Sequence, residues 1–343
     1  MRVAVVGATG AVGREMMRIL EERSFPLDEL APLASPRSEG KALPFRGGEV
    51  RVQVLTPEAI ASADLALVSA GSSVSREFIP DAASSGTVCI DNSSAFRMEP
   101  DVPLAIPEIN PESLDGSPKI IAVANCTTIT VMMPLGPLHR AAGLRSLVLS
   151  SYQSVSGAGQ KGIRELAEQI EKLHGTEEEM GHADWSSMPS GEVFGKTIAY
   201  NVVAKIADFS EGGYTGEELK MMAESRKILD IPDLDVWATA VRVPVPVGHA
   251  VSIAATFSRA ITPDEAREIL SSAPGVELQD DPAAGVYPSP LEAAGRDEVL
   301  VGRIRQAPER PATLLLFACG DNLRKGAALN AVQIAEHLFA RRD

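Results

Sequence analysis

A glycine-rich stretch that sits between a short apolar run and a helical pattern leaves a chain few folds to choose from. Here it is GATGAVG, residues 7–13, which follows Val3 to Val6 and leads into Ala11 to Glu22. Gly7, Gly10 and Gly13 let the backbone turn tightly out of a strand, so that free amides and the positive helix end face outward together. Such a turn suits a diphosphate. A plain strand-to-helix connection uses glycines too, and the spacing is GxxGxxG rather than GxGxxG. The position directly after the first strand favours the nucleotide reading. Val12, Met16, Ile19 and Leu20 then fall on one helix face.

The first half continues in the same grammar. Leu65 to Ala70, Thr87 to Ile90 and Ile120 to Ala124 read as further buried strands, as in a parallel sheet. After about residue 125 the runs lengthen, at Ser146 to Val155, Val236 to Val247, Val251 to Phe257, Val299 to Ile304 and Thr313 to Ala318. These predict a larger, mainly antiparallel sheet. Thr215 and Thr262, each followed three residues later by Glu, mark helix starts, the second with Pro263 at its first position. Ala327 to Leu338 is helical and returns to the first unit. The expected division is discontinuous: 1–125 with 322–343 as a nucleotide-binding domain, and 126–321 as an α+β domain. Residues 174–195, with Glu177, Glu178 and Glu179, have no clean period and read as an irregular insertion.

With 343 residues, two domains are the natural size. Net charge is −14 and there is no basic run, which argues against nucleic-acid partners. Cys89, Cys126 and Cys319 show no paired spacing and the 5 histidines form no close pair, so neither a disulfide framework nor a metal site is expected. No apolar run reaches membrane-spanning length and no basic leader precedes the first strand. The expectation is a cytoplasmic protein with no membrane partner.

Where an NAD-type domain would place an acid for the ribose, the chain reads Ser35, Pro36, Arg37, Ser38. A cation with hydroxyls suits a 2′-phosphate, hence NADP, although an arginine in a surface loop is often merely solvated. Cys126 stands directly after a strand and opens an apolar helix, where dipole and amides favour thiolate. Most lone cysteines are inert, as Cys89 and Cys319 in apolar strands are read; position sets Cys126 apart. A nucleophilic cysteine needs a base, and His249, after Gly248 at a strand start, can project into a cleft better than His139, His174, His182 or His337. Arg242, in an apolar run, is a fork for carboxylate or phosphate. Glu217 and Lys220 share a helix face and could meet a zwitterionic or phosphorylated ligand, or simply each other. Arg97, Gln153 and the turn Ser156, Gly157, Ala158, Gly159 complete the candidates.

Taken in order, GATGAVG, ASPRSEGK, SAGSSVS, DNSSAFRM, NCTT, SYQSVSGAG, the Glu217 and Lys220 helix, RVPVPVGH and DNLRKGAA span nearly the whole chain. Together they resemble the aspartate-β-semialdehyde dehydrogenase family. The resemblance implies a Rossmann-type nucleotide domain joined to a catalytic and dimerisation domain, as in glyceraldehyde-3-phosphate dehydrogenase. It implies reductive dephosphorylation of 4-phospho-L-aspartate by NADPH, in amino-acid biosynthesis toward lysine and diaminopimelate, threonine and methionine. Cys126 is then the thioester nucleophile, His249 the acid/base and Gln153 an orienting group. Arg242 and Glu217 hold the substrate's carboxylate and ammonium, and Arg97, Asn125 and Lys220 bind phosphate.

For the cofactor, the resemblance adds Thr9, Gly10, Ala11 and Val12 at the diphosphate. Ser35 belongs to the same loop as Arg37 and Ser38, which the resemblance places at the 2′-phosphate; Ser156, Gly157 and Asn322 follow, the last at the nicotinamide. A homodimer is implied, with a tetramer as an extension. The family commonly has Asn-Pro where this chain has Val123 and Ala124, and Cys and Ser where it has Ala240 and Ala250. An N-acetyl-glutamyl-phosphate reductase would share the chemistry, but its substrate nitrogen is uncharged, and Glu217 argues for a free ammonium. A redox-sensing nucleotide-binding regulator is the rival of another class; the joint presence of Cys126, Gln153, Arg242 and His249 argues against it.

Overall fold

The computed structural model describes residues 1–182, 184 and 188–339. The first unit runs β1 (Arg2–Val6), α1 (Ala11–Glu22), β2 (Glu29–Ala34), the hairpin β3 (Ala42–Phe45) and β4 (Gly48–Arg51), β5 (Gln53–Val54), α2 (Pro57–Ala61), β6 (Leu65–Val68), α3 (Ser72–Ser84), β7 (Val88–Asp91), β8 (Leu104–Ala105) and β9 (Ile120–Val123). Its seven-stranded sheet has the order β5-β2-β1-β6-β7-β9-β8, and every pair is parallel. Strand order reverses at β1, so the carboxyl ends of β1, β6, β7 and β9 open on one crevice. The strands are apolar on both faces because helices cover both, which is why they read as continuous rather than alternating runs.

The second unit contains α4 (Cys126–Ala142), β10 (Leu144–Gln153), α5 (Gln160–Leu173), α6 (Gly216–Leu229), β11 (Asp235–Arg242), β12 (His249–Phe257), α7 (Pro263–Ser271), β13 (Val276–Leu278), α8 (Pro290–Ala293), β14 (Val299–Ala307) and β15 (Arg310–Gly320). These strands form a six-stranded sheet in the order β11-β10-β12-β15-β14-β13. The expected mainly antiparallel sheet is mixed: β10 with β12, β12 with β15 and β14 with β15 are antiparallel, whereas β10–β11 and β13–β14 are parallel. One face packs on α4, α6 and α7. The other leaves Val148, Tyr152 and Trp237 exposed, with Tyr152 and Phe317 rings 6.1 Å apart.

Two expected elements differ, and a third, the irregular insertion, takes the form expected. The run Val236 to Val247 is not one strand: β11 stops at Arg242 because Pro244 and Pro246 cannot donate to a ladder. The C-terminal helix begins with a π turn, Arg324–Ala328, before α9 (Leu329–Phe339) packs against α1, β6 and β7. Residues 174–195 hold a short 3₁₀ turn, Glu177–His182, and irregular chain thereafter; residues 183 and 185–187 of that segment lie outside those described. Both threonine caps form. Thr215 makes the full capping box with Glu218, and the Thr262 hydroxyl accepts from the Glu265 amide at 3.1 Å.

Candidate active site

A cavity of about 500 Å³ opens between the two sheets. Its walls include Gly10, Ala11, Val12, Ser156, Gly157 and Asn322 on one side, and Arg97, Asn125, Cys126, Gln153, Glu217, Lys220 and Arg242 on the other. Thirteen residues proposed from sequence thus meet in one place. Gly7, Thr9, Gly13, Ser35, Arg37, Ser38 and His249 are not among its lining.

The glycine turn is built by contact, not only by flexibility. Gly7 has φ +82°, and a Cβ at Gly13 would lie 2.2 Å from the Gly7 carbonyl oxygen. Gly10 caps α1 without any side chain, so the helix start presents bare backbone to the cavity. Downstream, Pro36–Ser38 form one 3₁₀ turn in which Arg37 is exposed, with no side-chain partner among the described residues.

Cys126 is the first residue of α4. Asn125 is its N-cap, accepting at Oδ1 from the amides of Thr127 at 2.9 Å and Thr128 at 3.2 Å. Such a cap contributes about 1 kcal/mol and fixes where the helix starts. Sequence reasoning expected a thiolate here. Instead, burial pushes the thiol up to about 11, Glu217 adding to the rise while Arg97 and Arg242 oppose it. The wall behind is tight, since a Cβ on Gly326, in the π turn, would come within 2.9 Å of the Cys126 Cβ.

His249 opens β12, where it is completely buried rather than projecting into the cleft. Its Nδ1 accepts from the Ser154 amide at 3.1 Å and lies 3.0 Å from the Ser154 hydroxyl, while Nε2 has no partner. A nitrogen that accepts an N–H carries no proton, so the ring proton sits on Nε2. Burial, with Arg242 beside it, holds the imidazole down to about 3, the Gly248 backbone opposing. The ring is therefore neutral, a hydrogen-bond donor at Nε2. Asn322 joins the same network, its Oδ1 accepting from the Gly248 amide at 2.9 Å and its Nδ2 donating to Ser156 Oγ at 3.0 Å.

Charge is concentrated at the other end of the cavity. Glu217 is buried, and its Oε1 accepts from Asn125 Nδ2 at 2.8 Å and Gln153 Nε2 at 3.2 Å; Oε2 lies 3.3 Å from Lys220 Nζ. Arg242 is buried, donates to the Ser154 carbonyl at 2.7 Å and lies over the Phe194 ring. Arg97 donates from Nε to the Val123 carbonyl, from Nη1 to Glu224 and from Nη2 to the Asn92 carbonyl. A guanidinium has five N–H groups, so one on each terminal nitrogen is left for a ligand.

Two participants were missed in the sequence. Asn92, after β7, lines the cavity, and both atoms of its amide are buried without a partner. Glu224, almost wholly buried, bonds to Arg97 and to the Asn125 amide. Asn92 was in view within DNSSAFRM, and its place directly after a strand was the available signal. Among the described residues no group of three His, Cys, Asp or Glu is arranged to hold a metal ion.

Residues 2–117 match the semialdehyde dehydrogenase NAD binding domain, and residues 135–325 match the semialdehyde dehydrogenase dimerisation domain. The chain is 48% identical over 340 residues to the aspartate-semialdehyde dehydrogenase of Aquifex aeolicus, covering 98% of this chain and 97% of that one. It is 44% identical to that of Bacillus subtilis, with 98% and 97% covered. The crystal structure of aspartate semialdehyde dehydrogenase II from Vibrio cholerae superposes with a TM-score of 0.92 at 42% identity, covering 99% of this chain and 98% of that one. With its parallel nucleotide-binding sheet, its mixed second sheet and this likeness along almost its entire length, the chain belongs to the aspartate-semialdehyde dehydrogenase family.

Proposed function

We propose that this protein reduces 4-phospho-L-aspartate to L-aspartate 4-semialdehyde with NADPH, releasing phosphate, through a thioester on Cys126. The observation that carries the substrate assignment is Glu217. It is the one acidic residue lining the cavity among those described, and it lies with Arg242 beside Cys126. An anion and a cation flanking a nucleophile suit an α-amino acid whose reacting carbonyl is on its side chain.

The residues present fit a pyridine dinucleotide: the uncapped start of α1 faces the cavity, and the Gly7–Gly13 approach leaves no room for a side chain. Gly10, Ala11 and Val12 would hold the diphosphate, Arg37 and Ser38 the 2′-phosphate, and Asn322 with Ser156 and Gly157 the nicotinamide end. When bound, the reduced nicotinamide supplies a hydride. Residues 1–125 with 322–343 would serve the cofactor, and 126–321 the chemistry.

In the reaction the Cys126 sulfur forms a bond to the acyl carbon and the bond to the phosphate oxygen breaks. The thiol proton leaves on the phosphate. Arg97, Lys220 and Asn125 hold that phosphate, and the two arginines offset the burial that raises the thiol. Gln153, anchored on Glu217, orients the acyl group. After hydride addition, His249 Nε2–H steadies the oxyanion; the C–S bond breaks, the aldehyde departs, and one proton, taken up from the solvent of the open cavity that Cys126 lines, restores the thiol.

The exposed apolar face around Val148, Tyr152 and Trp237 is the surface on which a second copy would dock, making a homodimer. The setting is the aspartate branch of amino-acid biosynthesis in the cytoplasm. No helix among the described residues is long and apolar enough to cross a membrane. The test is reduced-nicotinamide formation from L-aspartate 4-semialdehyde against N-acetyl-glutamate 5-semialdehyde, each with and without phosphate, and with NADP against NAD. Phosphate-dependent turnover of the first aldehyde alone, faster with NADP, is expected. Turnover of the second alone overturns the Glu217 argument, and equal use of NAD overturns the Arg37 assignment.

A further inference from the structure

Helix α6 carries a stripe of charge. Glu217, Lys220, Glu224 and Lys227 recur at intervals of three, four and three residues, which places them along one helix face. The first two line the cavity. The last two reach across to the nucleotide-binding unit instead.

Glu224 accepts two bonds there, one at each carboxylate oxygen: Arg97 Nη1 donates to Oε1 at 2.9 Å, and the Asn125 backbone amide donates to Oε2 at 2.7 Å. Both side chains of the ion pair are out of solvent, at 9% and 2% exposure. Lys227, one turn further on, donates to the carbonyls of Arg97, Glu99 and Val102 at 2.7 to 2.8 Å, holding the loop that carries Arg97.

Arg97 and Asn125 are the residues assigned above to the phosphate. Neither chooses its own position. Arg97 is aimed by three contacts, two of them backbone carbonyls, and Glu224 supplies the only charged one. Asn125 is held by its side-chain amide on Glu217 and by its backbone amide on Glu224, while its Oδ1 starts the helix that opens with Cys126. Burying a carboxylate is costly unless it is fully bonded, and a guanidinium left without its partner there would be free to turn.

We propose that Glu224 is a positioning residue for the phosphate subsite: it never touches the ligand, but sets the directions in which Arg97 and Asn125 present their donors. The inference rests on the reading of Arg97 and Asn125 as phosphate ligands.

Glu224→Gln tests it with almost no change of shape. An amide has one acceptor and one donor, so in either orientation its NH₂ faces Arg97 or the Asn125 N–H, and one of the two bonds is lost. Kinetics are followed in the direction that consumes phosphate, with L-aspartate 4-semialdehyde and NADP. The expected result is a KM for phosphate raised about tenfold, the scale of one lost charge-assisted bond, with kcat and the KM for the aldehyde within about threefold of the parent.

Two companions separate the possibilities. Lys227→Met loosens the same loop while leaving the Glu224 contacts in place, so it should lower Tm yet keep the phosphate KM within about twofold. Arg97→Lys tests the underlying reading, and should raise the phosphate KM by itself. If Arg97→Lys raises it and Glu224→Gln does not, or if Lys227→Met raises it equally, the positioning role is wrong. If Arg97→Lys leaves the phosphate KM unchanged, the phosphate assignment falls first. Should Glu224→Gln fail to fold, Glu224→Asp, which keeps the charge but loses reach, is judged by the same criterion.

Discussion

Glu217 Oε1 lies 2.8 Å from Asn125 Nδ2, so the acid that faces the cavity is tied to the residue that caps the Cys126 helix. Recognition of the substrate's charge and placement of the nucleophile therefore share a hydrogen bond. Replacing Glu217 with Gln removes the anion and keeps the volume. The KM for L-aspartate 4-semialdehyde should rise by about tenfold or more, as for a lost charged contact, with the greater part of the loss in KM. Steady-state kinetics at saturating cofactor checks this; an unchanged KM would remove Glu217 from substrate recognition.

Cysteine reactivity should be confined to one site. Burial pushes the Cys89 and Cys319 thiols up to about 12, and both are inside strands; Cys126 alone borders the cavity, pushed up to about 11. In the ligand-free protein the thiolate fraction rises with pH, so alkylation by iodoacetamide should accelerate about tenfold per pH unit from 7 toward 10. Peptide mapping should find the label on Cys126. A rate that levels off near pH 7 would mean a thiolate already formed in the resting site.

His249 makes acid stability a signature of the fold. Its folded value, about 3, lies below the 6.5 of an unfolded histidine. Above pH 6.5 the ring is neutral in both states and contributes no pH dependence. Below it the unfolded chain takes up a proton that the folded ring refuses, so stability falls by about 1.4 kcal/mol per pH unit from this group until the folded value is reached. Urea unfolding of the parent and of His249→Gln at pH 7.5 and pH 5 reads the difference. The parent should lose more between the two.

Gly13→Ala should abolish cofactor binding or folding, because its Cβ would lie 2.2 Å from the Gly7 carbonyl oxygen and 2.8 Å from the Ala8 Cα. Both neighbours are backbone and have no rotamer to yield. Gly40→Ala is the control, a surface glycine at φ +74° with nothing within 4 Å, where the cost is backbone strain alone, about 1 kcal/mol. Thermal unfolding with and without NADP distinguishes them.

What the sequence made legible is what is determined locally. The turn at Gly7 to Gly13, the helix start at Cys126 and the Thr215 cap are each settled by residues within a few positions, and all appear as read. Contacts between distant segments left no such trace. Glu224 reaches Arg97 across 127 residues, and nothing in its own helix distinguishes it from an ordinary solvated acid. The thiolate expected at Cys126 is opposed in the ligand-free protein for a related reason. A helix start is visible in sequence, but the burial that outweighs it and the Glu217 that reinforces it arrive only with the fold. Arg37 stands exposed, and its cofactor role rests on its place in the sequence and on resemblance.

A covalent intermediate on Cys126 underlies the whole proposal, and a burst experiment sees it. Mixed with L-aspartate 4-semialdehyde and NADP but no phosphate, the enzyme should form one equivalent of reduced nicotinamide per chain and stop, since the thioester has no acceptor. Intact mass should then show a single aspartyl adduct, mapped to Cys126, which phosphate discharges and which Cys126→Ala never forms. Continuous turnover without phosphate, or a burst with the adduct on another residue, would refute the thioester route.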